Sequence, residues 1–336
     1  MRRLTLILSD LYLPPEPQPD GGFPQTDELP ALSWLLSHAD RAEHIGDWRR
    51  WLLRQVGGPL VEIPQAAICA AGTVSGVELE TAWLATPVWL EARLDHVRMM
   101  DRGLLQIDVD ERRAWCAEFN RTFGPQITLH EGGARAFILS GLQGSTTGVD
   151  PARLLGNEIG PWLPGADAPE LRRLWTEIEM WLHGSALNDA RARTGKGRIS
   201  ALWLWGRDAD PRGSRGRDER DLEVYGGDPL IGALSRIHQR GPRGVPKALA
   251  NVEGSRPHVI AEFAALTGDP QEALSALDAG WFAAARRALE QHTLSRLDIV
   301  ANDHRFRITP RARWKIWRRR RGWLENLARR PGSPKA

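Results

Sequence analysis

Along the chain, short apolar runs of strand length alternate with longer stretches of helical periodicity, the order expected of an α/β protein. The run Ile199-Ser200-Ala201-Leu202-Trp203-Leu204-Trp205, closed by Gly206, lacks strict alternation and predicts a strand buried on both faces. Together with residues 4 to 9, which lead into Asp10, it is expected at the centre of a predominantly parallel sheet. Asp167-Ala168-Pro169-Glu170 predicts a cap, and Leu171, Leu174, Trp175, Ile178, Trp181 and Leu182 a helix that stops near Gly184. Residues 29 to 53 carry apolar positions of two helical pieces, broken near Ile45-Gly46. Residues 83 to 90 form an apolar segment kinked at Pro87, and Arg93, Asp95, His96 and Arg98 beyond it are read as a solvated helix face, with the lining of a polar pocket as the alternative. Asp108-Val109-Asp110-Glu111 predicts the cap of a helix carrying Trp115 and Phe119, and residues 127–129 and 136–139 a hairpin across Gly132-Gly133. A second hairpin is expected from 297–301 and 305–308, turned at Asn302-Asp303.

Composition narrows this picture. At 336 residues, 42% hydrophobic and 26% charged, the chain suits one layered core with an insert and does not suit global disorder. No stretch approaches membrane-spanning length and the opening does not read as a secretory signal, so a cytoplasmic protein without membrane contact is expected. Cys69 and Cys116 have no paired spacing and are read as buried thiols. The formal charge of +3 is unevenly spread, because residues 305 to 330 are rich in arginine and hold one acid, Glu325.

The candidate chemistry is sparse. Asn188, Arg191 and Lys196 crowd the approach to the 199–205 strand, a plausible rim for an anion. Asp10, at a strand end, could hold a divalent metal. Ser33 and Ser37, in the first helical stretch, are read as helix-surface or capping residues. The 141–148 loop is rich in small polar residues but lacks phosphate-loop spacing and is read as a linker.

The order Leu163-Pro164, a helix, Leu182-His183, Asn188-x-x-Arg191, Gly195-Lys196-Gly197 and Leu202-Trp203-Leu204-Trp205-Gly206 resembles the archaeal-type cofactor-independent phosphoglycerate mutases of the alkaline phosphatase superfamily. In length and tryptophan content the chain is still more similar to the short bacterial regulators of pathogenicity factors, type E. The resemblance covers about residues 118 to 235. It implies an alkaline-phosphatase-like α/β core with a mostly parallel sheet, in two parts at 1–76 and 167–325, with an inserted α+β cap at 77–166 and a tail at 326–336. Asp10 matches the family's first-strand metal ligand, and Asp303-His304 its Asp-His pair, while Ser33 and Ser37 lie in the region of the family's serine nucleophile and are the candidates the resemblance implies, without its Asn-x-Asp context. Ser185 and Ala186, however, stand where the family has His-Pro, no Asp-x-x-x-His segment occurs in residues 230 to 300, and no histidine follows His304.

The expectation is therefore a phosphoglycerate-mutase-like regulatory protein without metal-dependent phosphoryl transfer, sensing a phosphorylated or anionic metabolite and contacting such a metabolite or a protein partner. No cofactor is expected, Mn2+ or Mg2+ being the alternative. Two rival readings stand beside it: an active metal-dependent phosphomutase or phosphatase, and binding of nucleic acid or an acidic partner through the basic carboxyl-terminal segment. Nucleic acid is not the expected partner, because Trp314 and Trp317 are read as packed on the core, with only the run Arg318 to Arg321 in solvent.

Overall fold

The computed structural model describes residues 2–12, 29–56, 58–144, 148–164, 168–208, 221–238, 241, 243–252, 256–264, 270–315, 317–318 and 320–328. The proline-rich stretch after Leu13, the Asp167 cap and most of the charged 208–221 loop lie outside the described residues. In chain order the elements are β1 (Arg2–Leu8), α1 (Pro30–Ser37), β2 (Arg41–His44), α2 (Trp48–Val56), α3 (Gln65–Thr73), β3 (Trp83–Ala92), β4 (Val97–Leu104), α4 (Val109–Phe123), β5 (Thr128–Glu131) and β6 (Phe137–Ser140). They continue as α5 (Pro169–Gly184), α6 (Ala186–Arg193), β7 (Ala201–Trp205), β8 (Leu222–Tyr225), α7 (Pro229–Ile237), β9 (His258–Phe263), α8 (Pro270–Leu277), α9 (Ala283–Glu290), β10 (Leu294–Ala301), β11 (His304–Ile308) and α10 (Trp323–Ala328). They form two compact units, the first of residues 1–52, 219–226 and 243–336, the second of 53–218 and 227–242.

Unit 1 is built on a six-stranded sheet in the order β2-β11-β10-β1-β9-β8. Strands β8, β9, β1 and β10 run parallel, while β11 and β2 complete it antiparallel. The period of two along a strand sorts the side chains. Leu4, Leu6 and Leu8 of β1 share one face with Val259, Ala261 and Phe263 of β9 and with Leu297, Ile299 and Ala301 of β10. That face forms one core with Leu32, Leu35, Trp281, Leu289 and Leu327 of the covering helices. The opposite face is polar in places, with the Thr5 hydroxyl 3.0 Å from His258 Nε2 and Asp298 paired with Arg296 at 2.6 Å.

Unit 2 has an antiparallel sheet in the order β4-β3-β6-β5, with β7 pairing β3. Helix α4 starts as its sequence dictates, with Asp108 accepting the Glu111 N–H at 2.9 Å and the Glu111 side chain returning to the Asp108 N–H. Trp115 and Phe119 of α4 and Leu174, Ile178 and Leu182 of α5 share a core with Leu202 and Leu204. Helices α3 and α7 approach so closely that a Cβ on Gly72 would lie 2.5 Å from the Ala233 Cα, a contact open only to glycine.

Three expectations are corrected. Residues 201–205 are buried throughout, but they pair antiparallel with β3 in unit 2 and do not stand beside β1. An unbroken apolar run reports burial on both faces, and nothing in it encodes partner or direction. Arg93 to Arg98 form a hairpin turn into β4, with the Arg93 N–H on the His96 carbonyl at 2.8 Å, so no helix face exists there. Trp314 and Trp317 are 65% and 75% exposed, because Ala312, Trp323 and Leu327 fill the core positions that the tryptophans were expected to take. Among the described residues, no helix is long and apolar enough to cross a membrane.

Candidate functional site

In a parallel sheet, loops at the carboxyl ends of the strands gather the groups that meet a ligand. In unit 1 that edge presents Ser9 and Asp10 after β1, Glu262 and Phe263 at the end of β9, and the β10–β11 turn. Asp10 and Glu262 are each only 1% exposed. The Ser9 hydroxyl donates to Glu262 Oε1 and lies 3.1 Å from the Phe263 carbonyl. Neither Ser9 nor Glu262 was singled out from the sequence. The two lie 253 residues apart, and only the β1–β9 register, Ile7 opposite Glu262, brings them together.

Asp303 and His304 stand at the same edge. Asn302 and Asp303 have φ of 48° and 61°, the left-handed pair that a two-residue hairpin needs and that Asn and Asp tolerate best. The Asn302 N–H donates to the Leu11 carbonyl at 2.9 Å, which seats the turn against the segment after Asp10. The Asp303 carbonyl accepts the Ile45 N–H at 2.7 Å, and His304 Nδ1 lies 2.6 Å from the Asn302 carbonyl with its ring edge-on to His44. Among the described residues, no group of three or more His, Cys, Asp or Glu side chains is placed to hold a metal ion. Asp10, Asp303 and His304 thus stand at the same edge of the unit 1 sheet.

The candidate serines lie on α1. A helix amino terminus binds anions through its free N–H groups and dipole. Here the Asp278 carboxylate fills that position, accepting the Ala31 N–H at 3.1 Å and the Leu32 N–H at 2.7 Å, while Pro30 offers no donor. Burial pushes the Asp278 carboxyl up, and the two backbone donors pull against it. Ser33 is half-buried one turn further on. Ser37 ends the helix, its hydroxyl lying 3.1 Å from the Arg321 N–H, 3.1 Å from Asn326 Nδ2 and 3.3 Å from the Arg321 carbonyl. It fastens the carboxyl-terminal segment to α1.

Asn188, Arg191 and Lys196 do converge, in unit 2, and what they meet is the protein itself. Asn188 donates from Nδ2 to the Leu182 and Ile199 carbonyls at 2.8 and 2.9 Å and accepts the Ile199 N–H at 2.8 Å. Arg191, 3% exposed, donates to the Gly197 carbonyl at 2.9 Å and to Glu111 at 2.8 Å. Lys196 bridges Asp108 at 2.8 Å and Glu111 at 3.0 Å, and those carboxylates raise its pKa. The first turn of α4 thus supplies the negative charge of this cluster. Asp108 and Glu111 were legible as a cap, but sequence spacing gave no sign that they would pair with cations some 80 residues later.

No family model and no curated protein matches the chain. Among solved structures it is similar to a cofactor-independent phosphoglycerate mutase from Thermoplasma acidophilum DSM 1728, at 17% identity over 92% of this chain and 90% of that one, with a TM-score of 0.37. It is also similar to the PH0037 protein from Pyrococcus horikoshii, at 14% identity over 90% of this chain and 82% of that one, with a TM-score of 0.43. The chain is a mixed α/β protein, as its own strand order shows, and among the described residues no sheet closes into a barrel.

Proposed function

We propose that this chain is a phosphomutase-like regulatory protein of the bacterial cytoplasm, of the pathogenicity-factor-regulator type, in which metal-dependent phosphoryl transfer is no longer the working activity. The observation that carries the reading is Asp278. A transfer reaction that used a serine at the start of α1 would place a phosphoryl group at the helix amino terminus, and the Asp278 carboxylate already holds the Ala31 and Leu32 N–H groups there. Two anions cannot share those donors. On this reading the protein acts by binding a phosphorylated or anionic metabolite, or a protein partner.

One observation favours the active alternative. Asp10 and Glu262 are buried carboxylates at the ends of adjacent parallel strands, where a cation would gain most from them. A thermal-shift titration separates the two readings, because a ligand bound only by the folded state stabilises it, by about 2.7 kcal/mol at a hundredfold excess over Kd. With millimolar Mn2+ or Mg2+ the melting temperature is expected to stay within about 1 °C of the metal-free value. A rise of several degrees that Asp10→Ala abolishes would favour the active alternative.

A further inference from the structure

The carboxyl-terminal segment exposes what a folded protein normally covers. Trp314 and Trp317 stand 65% and 75% exposed and three positions apart, on a stretch that is nonetheless firmly held. Ala312 is buried on one side of them, and Trp323 and Leu327 on the other. Between these anchors Lys315 Nζ binds Asp40 at 2.5 Å and the His38 carbonyl at 3.2 Å, and Arg318 donates to the Ala39 and Ser37 carbonyls at 2.6 and 3.3 Å. The indoles are therefore presented by a preorganised platform.

The charge around them is unbalanced. Lys315 is neutralised by Asp40, and Arg321 by Glu325 at 3.2 Å. Arg313 and Arg318 bond only to backbone carbonyls, which leave their charge in place, and Arg313 also lies over the Trp314 ring, 4.7 Å from its centroid. Arg311 and Arg320 have no ion-pair partner among the described residues. The protein registers the resulting field at buried His38, whose pKa is lowered first by burial and further by Arg320, Arg318 and Arg286.

We propose that Arg311, Arg313, Trp314, Trp317, Arg318 and Arg320 form a binding surface for single-stranded nucleic acid, with the Trp314 and Trp317 rings stacking on bases and the four arginines meeting the phosphates. Planar faces interleaved with cations suit a polyanion whose charges alternate with flat, apolar bases. An anionic membrane is the poorer fit. A surface-binding helix inserts a whole apolar face, whereas the apolar residues of α10, Trp323 and Leu327, are committed to the core. An acidic peptide offers the charge but no flat groups for the two indoles. This surface lies outside the edge discussed under the proposed function and does not depend on that reading.

The test uses the full chain and a fluorescein-labelled oligothymidylate of about 12 nucleotides, read by anisotropy. Four phosphate contacts predict that log K falls with log salt at a slope of about −3. Trp314→Ala and Trp317→Ala are each expected to weaken binding roughly 10- to 100-fold, the usual size of one base-stacking contact. The triple change Arg311→Ser, Arg313→Ser and Arg320→Ser should flatten the slope by about 2. All five positions are exposed, so each variant should melt with the parent, and that melt is the control for folding. The proposal is overturned by any of three results: no saturable binding at low salt, binding indifferent to both tryptophans, or equal affinity for the duplex of the same sequence. Capture of polyglutamate or phosphatidylserine vesicles through these residues, without capture of the oligonucleotide, overturns it as well.

Discussion

Asn188→Leu is expected to destabilise unit 2 by about 3 to 9 kcal/mol, since it strands one backbone N–H and two carbonyls in a dry environment at about 1 to 3 kcal/mol each. The three groups are the Ile199 N–H and the Leu182 and Ile199 carbonyls, all within 2.9 Å of the Asn188 amide. The bonds join the end of α5 to the entry of β7, so their loss should loosen the seam between helix and strand. Leucine is close in volume, which separates the polar loss from any cavity. Asn188→Asp keeps the acceptor for Ile199 but turns both donors into a buried charge, and it should be damaging too. A chemical-denaturation series on the two variants reads this directly. Were Asn188 a ligand-facing group, Asn188→Leu would leave stability within about 0.5 kcal/mol of the parent, as surface substitutions do.

Trp281→Ala should act on unit 1 with similar force, at about 3 to 5 kcal/mol. Trp281 is buried in the π-helical stretch Asp278–Phe282 that carries α8 into α9 without a break, its ring edge-on to Phe263 at 5.2 Å and its Nε1 donating to the Pro246 carbonyl at 3.0 Å. Removing it opens an indole-sized cavity beneath the sheet and leaves that carbonyl without its donor. For a unit of this size the melting temperature should fall by roughly 10 °C. Because unfolding two units need not be two-state, the change should appear in the transition reported by unit 1 probes. Trp281→Phe, which refills most of the volume and loses the hydrogen bond, should recover more than half of the loss. A fall below about 1 kcal/mol for Trp281→Ala would show that unit 1 does not rest on this ring.

Local features of the sequence carried over well into the structure. The Asp108-x-x-Glu111 spacing forms its capping box, the Gly132-Gly133 segment its hairpin, and Asn302-Asp303 its two-residue turn. Each is decided by residues within a few positions of one another. What failed depends on distant partners. The 199–205 run was legible as buried, but its antiparallel pairing with Leu84 to Val88 is set by register between strands more than a hundred residues apart. Trp314 and Trp317 have the spacing of a buried helical stripe, and identical spacing arises in an exposed turn when other residues, here Trp323 and Leu327, take the core. At Asn188, Arg191 and Lys196 the sequence shows the cations but not their counter-charges, because Asp108 and Glu111 lie far upstream. Asp278 carried no signal at all, since a lone acid in a helical stretch does not announce the helix whose amino terminus it will cap.

The most direct measurement on the central claim is turnover. Purified protein is incubated with 3-phosphoglycerate and Mn2+, Mg2+ or Co2+, and the formation of 2-phosphoglycerate is followed by phosphorus NMR. With Asp278 on the Ala31 and Leu32 N–H groups, product should form no faster than in the protein-free control. Product that appears in proportion to protein and vanishes in both Asp10→Ala and Glu262→Gln would contradict the account and restore the edge at Asp10 as an active site.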